Sequence, residues 1–366
     1  MAGKVLNYYA GGNTARGFYD LFDSITEGLE KVFILKGGPG TGKSTLLKKV
    51  ASSLNQTGED IELIHCASAP GSLDGVIFPH LKAGIFDGTA PHVIEPKAPG
   101  AIEEYVNLGK GWDSKKLAGS RDDILLLNKQ SKDFYLKAHE AYAQALTIHD
   151  DWEKIYIDNM DFAKANKLSS QLIETMFSHI QLNKESRVVH RFLGAATPEG
   201  PKDFIQNLTG DVQKRYFIKG RPGSGKSTML KKIAAAAQES GADTEVYHCG
   251  FDPMSVDMVI VREIGIAIFD STSPHEYFPE RETDEVVDMY VNTITEGTDE
   301  KYADSIKQIE NKYKENMKLG TFYLQQAKQI HDQLEKVYIK AMDFKIIDQI
   351  TLEIEEEIKK LNKSER

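Results

Sequence analysis

The chain is poor in cysteine, has fewer basic than acidic residues and has no long apolar run; each of these removes a class of function. Two cysteines among 366 residues, Cys66 and Cys249, cannot build a disulfide framework. A reducing compartment is therefore expected, and the cytoplasm is the natural one. Lysine and arginine number 45 against 55 aspartate and glutamate, a formal net charge of -10. An acidic surface argues against nucleic acid as the main partner, because such binding depends on neutralising phosphates. No apolar stretch is long enough to span a bilayer, and the opening MAGKVLNYYAGG lacks an apolar secretory core. A membrane is not an expected partner either. With 40% hydrophobic and 27% charged residues, the composition is that of a folded globular protein, and the length suits two domains.

An internal repeat organises the rest. Lys43 sits in GGPGTGKST and Lys226 in GRPGSGKST, 183 positions later. At that same offset Gly11, Thr14 and Gly17 fall on Gly194, Thr197 and Gly200. His65 and Cys66 fall on His248 and Cys249, and Pro70, Ser72 and Asp74 on Pro253, Ser255 and Asp257. IFDGTAPH from Ile85 meets IFDSTSPH from Ile268. After a short slip, IHDDWEKIYIDNMDF from Ile148 meets IHDQLEKVYIKAMDF from Ile330. The chain is read as a duplicated domain divided near the polar NKESR, with copies at 1–185 and 186–366.

Within one copy, Val32 to Lys36 forms an apolar strand, Gly42 to Asn55 a helix and Ile61 to His65 a second strand. A short helix is expected near Leu73 to Leu81, then a third strand from Ala83 to Asp87. Strands alternating with helices predict an α/β fold with a parallel sheet in each copy. From about 101 to 184, and again from about 284 to 366, long charged helical patterns without proline predict a helical-hairpin arm on each sheet. The segments VLNYY and VVHRF are strands that could join their own sheet or the neighbouring one. Gly11, Gly12 and Thr14 read as a polar turn or as a loop touching a base or ribose.

The two glycine-rich loops carry the chemistry. Each follows a strand and opens a helix, the context in which such a loop folds its backbone N–H groups around phosphate oxygens. The first comprises Gly37, Gly38, Pro39, Gly40, Thr41, Gly42, Lys43, Ser44 and Thr45. The second comprises Gly220, Arg221, Pro222, Gly223, Ser224, Gly225, Lys226, Ser227 and Thr228. Lys43 and Lys226 would meet the terminal phosphates, and the Ser44 and Ser227 hydroxyls suit Mg²⁺, which prefers oxygen ligands. Arg221 gives the second loop a fixed positive charge where the first has Gly38.

Over about the first half of each copy, these motifs resemble the P-loop NTPase superfamily. The resemblance implies a bound nucleoside triphosphate with Mg²⁺, and catalytic roles for Lys43, Lys226, Asp87 and Asp270. Asp87 and Asp270, at the ends of their strands, would hold the metal with the two serines; the alternative is that each caps the turn after it. One strand lies between the loop strand and the Asp strand in the chain, similar to the hydrolase-rich branch with an inserted central strand. No glutamate follows Asp87 or Asp270, so the water-activating base of that branch has no counterpart there. The guanine-binding NKxD string is absent, which favours ATP. The whole chain resembles a little-characterised bacterial group with two tandem P-loops, described as ATPases or nucleotide-kinase-like.

Other duplicated polar residues each admit two readings. His65 and His248 close a strand and could sense nucleotide or simply bond a loop carbonyl. Cys66 and Cys249 read as small buried hydrophobes, and a zinc site built from both His-Cys pairs would require the copies to bring them together. Asp74 and Asp257 could cap a helix or serve as a base. His92 and His275 could reach the phosphates or order their loop. His149, Glu153, Tyr156 and Met160, repeated as His331, Glu335, Tyr338 and Met342, fall on one helix face. They could bind metal, or form a seam where the arms pack. Asp161 and Asp343 would anchor the end of that face. The function expected is a Mg-dependent ATPase whose nucleotide state moves the arms. A small-molecule or nucleotide kinase, and an ATP-dependent switch for a protein partner, are the alternatives.

Overall fold

The computed structural model describes residues 2–364. The expected outer limits at positions 1 and 366 lie outside the described residues. The first half begins with β1 (Val5–Tyr8), the hairpin β2 (Gly11–Thr14) and β3 (Gly17–Asp20), and α1 (Phe22–Thr26). β4 (Lys31–Lys36), α2 (Lys43–Gln56), β5 (Ile61–His65), β6 (Leu73–Phe78), β7 (Ala83–Asp87) and β8 (Glu103–Asn107) follow. Then come α3 (Ser114–Gly119), α4 (Arg121–Ile157) and α5 (Phe162–Phe177). The second half repeats this as β9 (Val188–Phe192), β10 (Gly194–Thr197), β11 (Gly200–Asp203), α6 (Ile205–Leu208), β12 (Lys214–Lys219) and α7 (Lys226–Glu239). It continues with β13 (Thr244–His248), β14 (Val256–Val261), β15 (Ile266–Asp270), β16 (Glu285–Asp288), α8 (Met289–Thr293), α9 (Thr298–Lys301), α10 (Ala303–Ile339) and α11 (Phe344–Ser364).

Each half builds a six-stranded sheet, in the order β1-β5-β6-β7-β4-β8 and, as its counterpart, β9-β13-β14-β15-β12-β16. Three expectations are corrected here. Leu73 to Phe78 is a strand, not a helix, because Gly75 followed by Val-Ile-Phe suits an extended segment buried along its whole length. The sheets are mixed, not parallel: β6 runs antiparallel to both β5 and β7, and β14 does the same between β13 and β15. A tight turn at Pro79–Lys82 sends the chain straight back from β6 into β7. The Asp strand then pairs directly with the loop strand, Leu35 opposite Asp87 and Ile218 opposite Asp270. No central strand is inserted between them, so the similarity to that hydrolase branch does not hold. The two N-terminal strands join their own sheets, and Gly11 to Asp20 forms an antiparallel hairpin in place of a simple turn.

The long helices α4 and α10 have 37 residues each, roughly 55 Å at 1.5 Å per residue. They run antiparallel: Phe134 meets Tyr323, and His149 meets Tyr313. Small residues let the backbones approach. Ala138 packs in one cluster with Tyr142 and Leu324, Ala141, Ala145 and Ala327 are also buried, and a Cβ at Gly320 would lie 2.2 Å from the Tyr142 ring.

Beyond this pair the halves exchange helices. Ile347, Ile350, Ile354 and Ile358 of α11 complete the core formed by β4, α2 and β7 of the first half. Leu172, Met176 and Phe177 of α5 complete the core around α7 and β12 of the second. Matched backbone bonds hold the exchange: Asp113 N–H to Ala341 O and Asp343 N–H to Gly111 O on one side, Asp161 N–H to Thr293 O and Thr295 N–H to Asn159 O on the other. Asp161 also caps α5 by accepting from the Lys164 N–H at 3.0 Å.

The opposite sheet faces share a third core, in which Tyr8, Phe22 and Ile25 pack with Leu193, Ile205, Leu208 and Tyr247. At its edge the buried Arg191 of β9 crosses to the first half, gripping both oxygens of Glu62 at 2.9 and 2.8 Å. The same guanidinium reaches Glu245 and lies 4.3 Å from the centre of the Tyr8 ring.

Candidate functional site

Both phosphate loops sit where a strand gives way to a helix. Gly42 (φ 92°) and Gly225 (φ 86°) turn the chain through the left-handed region into α2 and α7, a conformation that only glycine adopts without strain. Thr41 and Ser224 pin the loops with hydroxyl bonds to Gly38 O at 2.8 Å and Arg221 O at 2.7 Å. The Lys43 ammonium donates to Gly37 O at 2.8 Å and Gly38 O at 2.9 Å, and lies 3.6 Å from Asp87 Oδ2. Lys226 repeats this with Gly220 O at 3.2 Å, Arg221 O at 3.0 Å and Asp270 Oδ2 at 3.5 Å.

The serine after each lysine accepts a backbone N–H from the next strand, Ser44 from Leu73 at 3.0 Å and Ser227 from Val256 at 2.9 Å. Each hydroxyl keeps a free lone pair. Asp87 splits its two oxygens: Oδ1 accepts from the N–H and hydroxyl of Thr89, while Oδ2 faces Lys43. Asp270 does the same with Thr272. Turn capping thus uses one oxygen, and the other faces the lysine. An ammonium, a serine hydroxyl, a carboxylate oxygen and a glycine-shaped ring of N–H groups fit a triphosphate with Mg²⁺. Thr45 and Thr228 are exposed at the first turn of the helix.

Behind each loop lies a second layer. Asp74 is not a helix cap: it is buried within β6, with its neighbour Gly75 paired to Phe86. Cys66, Asp74 and His92 bring a sulfur, an oxygen and a nitrogen within 4.8 Å of one another. Burial and the adjacent Asp74 carboxylate push the Cys66 thiol well up, which leaves it an unreactive donor. The histidines differ between halves. His92 Nε2 lies 3.4 Å from Asp74 Oδ2, whereas His275 Nδ1 bonds Asp203 Oδ2 at 2.8 Å, with Tyr277 on the other oxygen. His65 bonds Asn7 at 2.8 Å, and burial lowers its pKa to about 4. His248 Nδ1 bonds Pro253 O at 2.7 Å, the loop-carbonyl role.

The repeated His-Glu-Tyr-Met stripe shows most of what the sequence concealed. Part of it does pack between the long helices, His149 against Tyr313. It also meets the glycine-rich loop of the opposite half. A Cβ on Gly223 would lie 2.4 Å from Glu153 O and 2.8 Å from its Cα. A Cβ on Gly40 would lie 2.8 Å from Glu335 O, and one on Gly38 2.9 Å from the Tyr338 ring. Each loop is therefore roofed by a helix from the other half. Tyr156 and Arg221 both bond Asp299, which ties the second roof to its loop. The charge of Arg221, noted as a difference between loops, is thereby partnered.

Around the second loop the roof encloses a cavity of about 1180 Å³, lined by residues 220–228, Asp257 and Asp270 from below and His149, Glu153 and Tyr156 from above. Burial lowers the His149 pKa, and nearby Lys226 lowers it further. Burial raises that of Glu153, with Asp150 adding to the effect. Over the first loop, the hydrogen bond from His331 holds Glu335 below the usual carboxylate range. The duplicated stripe was the signal for this site: His149, Glu153 and Tyr156 lie on α4 and their counterparts on α10, whereas Met160 and Met342 lie just beyond the helix ends and not on the expected helix face.

A model of the KAP family P-loop domain matches residues 13–214, more than half of the chain. The chain belongs to the KAP family. The match includes Lys43, Asp87 and Glu153, and ends at Lys214, before the second loop. Membership in this P-loop NTPase family supports nucleotide binding, typically with Mg²⁺. No curated protein and no solved structure matches the chain. Among the described residues of this KAP family member, no helix is long and apolar enough to cross a membrane.

Proposed function

We propose that the protein is a cytoplasmic Mg-dependent ATPase with two sites, one on each loop, whose nucleotide state moves the long helices. The reading rests on one observation: both loops present the same geometry, with an ammonium 3.6 or 3.5 Å from the carboxylate that ends the adjacent strand. When bound, Mg²⁺ supplies charge neutralisation across the outer phosphates. Lys43 and Lys226 exchange their loop carbonyls for phosphate oxygens and stabilise the charge that develops during transfer. Ser44 with Asp87, and Ser227 with Asp270, hold the metal. The loop N–H groups fix the phosphates in place, and the roof helices cover the loops. The absence of an NKxD string supports adenine over guanine. In chain terms the two domains are 1–185 and 186–366, each lending its helical arm to the other.

The purified full chain, incubated with Mg-ATP, should release phosphate steadily without any added acceptor. Lys43→Ala combined with Lys226→Ala should remove that release, since both phosphate-binding ammonium groups are lost. ADP formation that requires a nucleoside monophosphate would replace the ATPase with a kinase. Tight binding without turnover would leave a nucleotide-dependent switch.

A further inference from the structure

The roof helices bring more than cover. On α4, Glu153 stands beside the second loop at the position where Gly223 comes closest, and His149 lies one turn earlier with Nδ1 3.7 Å from Glu153 Oε1. Lys226 acts electrostatically on both side chains, and the Gly223 N–H acts on the Glu153 carboxylate. Its counterpart on α10, Glu335, stands beside Gly40 with His331 Nε2 3.5 Å from Glu335 Oε1, and Lys43 acts on it in the same way. Two glutamates, each with a histidine one turn earlier, therefore stand beside the two loops, and each comes from the half that does not contain its loop. The loops supply lysine and serine, and the adjacent strands end in aspartate. Asp87 and Asp270 are engaged by lysine and by their turns.

We propose that each nucleotide site is completed by the other half of the chain: Glu153 is the general base for the Lys226 loop, and Glu335 for the Lys43 loop. This rests on the ATPase reading above and names the residue that reading lacks. The carboxylate takes a proton from a water molecule. The water oxygen then forms the bond to the terminal phosphorus, the bridging P–O bond breaks, and its electron pair stays on the departing diphosphate oxygen. The neighbouring histidine orients the carboxylate and shares the proton. The Glu153 carboxylate stands beside the Gly223 N–H that a phosphate would use, and Glu335 stands near Lys43, so each negative charge also opposes the terminal phosphate before reaction.

The test is a crosswise pair of isosteric substitutions in backgrounds that keep one loop. Lys43→Ala leaves the second loop, and Lys226→Ala leaves the first. Glu153→Gln added to Lys43→Ala should slow phosphate release on the order of 100-fold or more. Affinity for Mg-ATP, read by equilibrium titration, should rise several-fold relative to Mg-ADP, because the opposing charge is gone. Glu335→Gln should do the same when added to Lys226→Ala. Impairment of the loop on the same half as the substituted glutamate would overturn the proposal. So would unchanged turnover and unchanged ATP-to-ADP preference in both crosswise pairs. If the parent protein releases no phosphate, the ATPase reading fails. The binding arm still decides whether the carboxylates face the terminal phosphate: an unchanged preference rejects it, and a crosswise rise retains the shared site.

Discussion

Alanine at Gly223 should destabilise the protein by about 2–5 kcal/mol and weaken Mg-ATP binding at the second loop at least ~10-fold, through two costs that add. Gly223 has φ 72°, so any L-residue there is held in the left-handed region at about 1–2 kcal/mol. The new methyl would also lie 2.4 Å from Glu153 O and 2.8 Å from its Cα. Both are backbone atoms of the last turn of α4, which cannot rotate away as a side chain could. Either the loop or the roof must move, at a cost of about 1–3 kcal/mol for overpacking. Gly71→Ala isolates the first cost: its φ is 83°, but nothing lies within 4 Å of the added methyl. Denaturant unfolding of the two variants, with nucleotide titration in the Lys43→Ala background, separates strain from the roof contact. Equal losses for Gly71 and Gly223 would mean that the roof does not press on the loop.

Arg191→Ala should cost about 3–5 kcal/mol of stability, the usual consequence of leaving a buried charge without its partner. Arg191 is almost wholly buried and bridges the halves, with Glu62 on one side and Glu245 on the other. Its removal leaves the largely buried Glu62 with the Tyr8 hydroxyl but no positive partner. Burial alone would raise the pKa of Glu245, but Arg191 and Arg262 hold it below the ordinary value. That contribution is therefore present above about pH 4.3, and it fades as pH falls through the lower folded-state value. Arg191→Met paired with Glu62→Met should recover much of the loss, since two apolar side chains there leave no charge unpaired. Urea unfolding midpoints of the single and double variants measure this. A single-variant loss below about 1 kcal/mol would place the pair among solvated ion pairs instead.

What the sequence made legible was local. The loops, the strands before them, the helices after them and Asp87 and Asp270 lie within short segments whose chemistry needs no distant partner. Leu73 to Phe78 was misread because a short apolar run has no period that separates strand from helix. That error carried further: without β6 as a strand, the return that sets β7 against β4 could not be foreseen, and Asp74 became a helix cap in place of a buried strand residue. The exchange of helices was hidden for a different reason. A repeat with two equivalent arms permits each arm to pack on its own sheet or on the other, and both choices present the same apolar faces. His149, Glu153 and Tyr156 were visible as a preserved stripe, but their position opposite a loop 70 residues further along depends entirely on that choice. In the chain, Gly88 and Ser271, not glutamate, follow Asp87 and Asp270. The group proposed for the role comes from the other half.

The central claim is that one chain holds two nucleotide sites. Calorimetric titration of the full-length protein with a non-hydrolysable Mg-ATP analogue tests it most directly. Two molecules should bind per chain, one in either Lys43→Ala or Lys226→Ala, and none in the double variant. A stoichiometry of one for the parent protein, or no binding at all, would contradict the account.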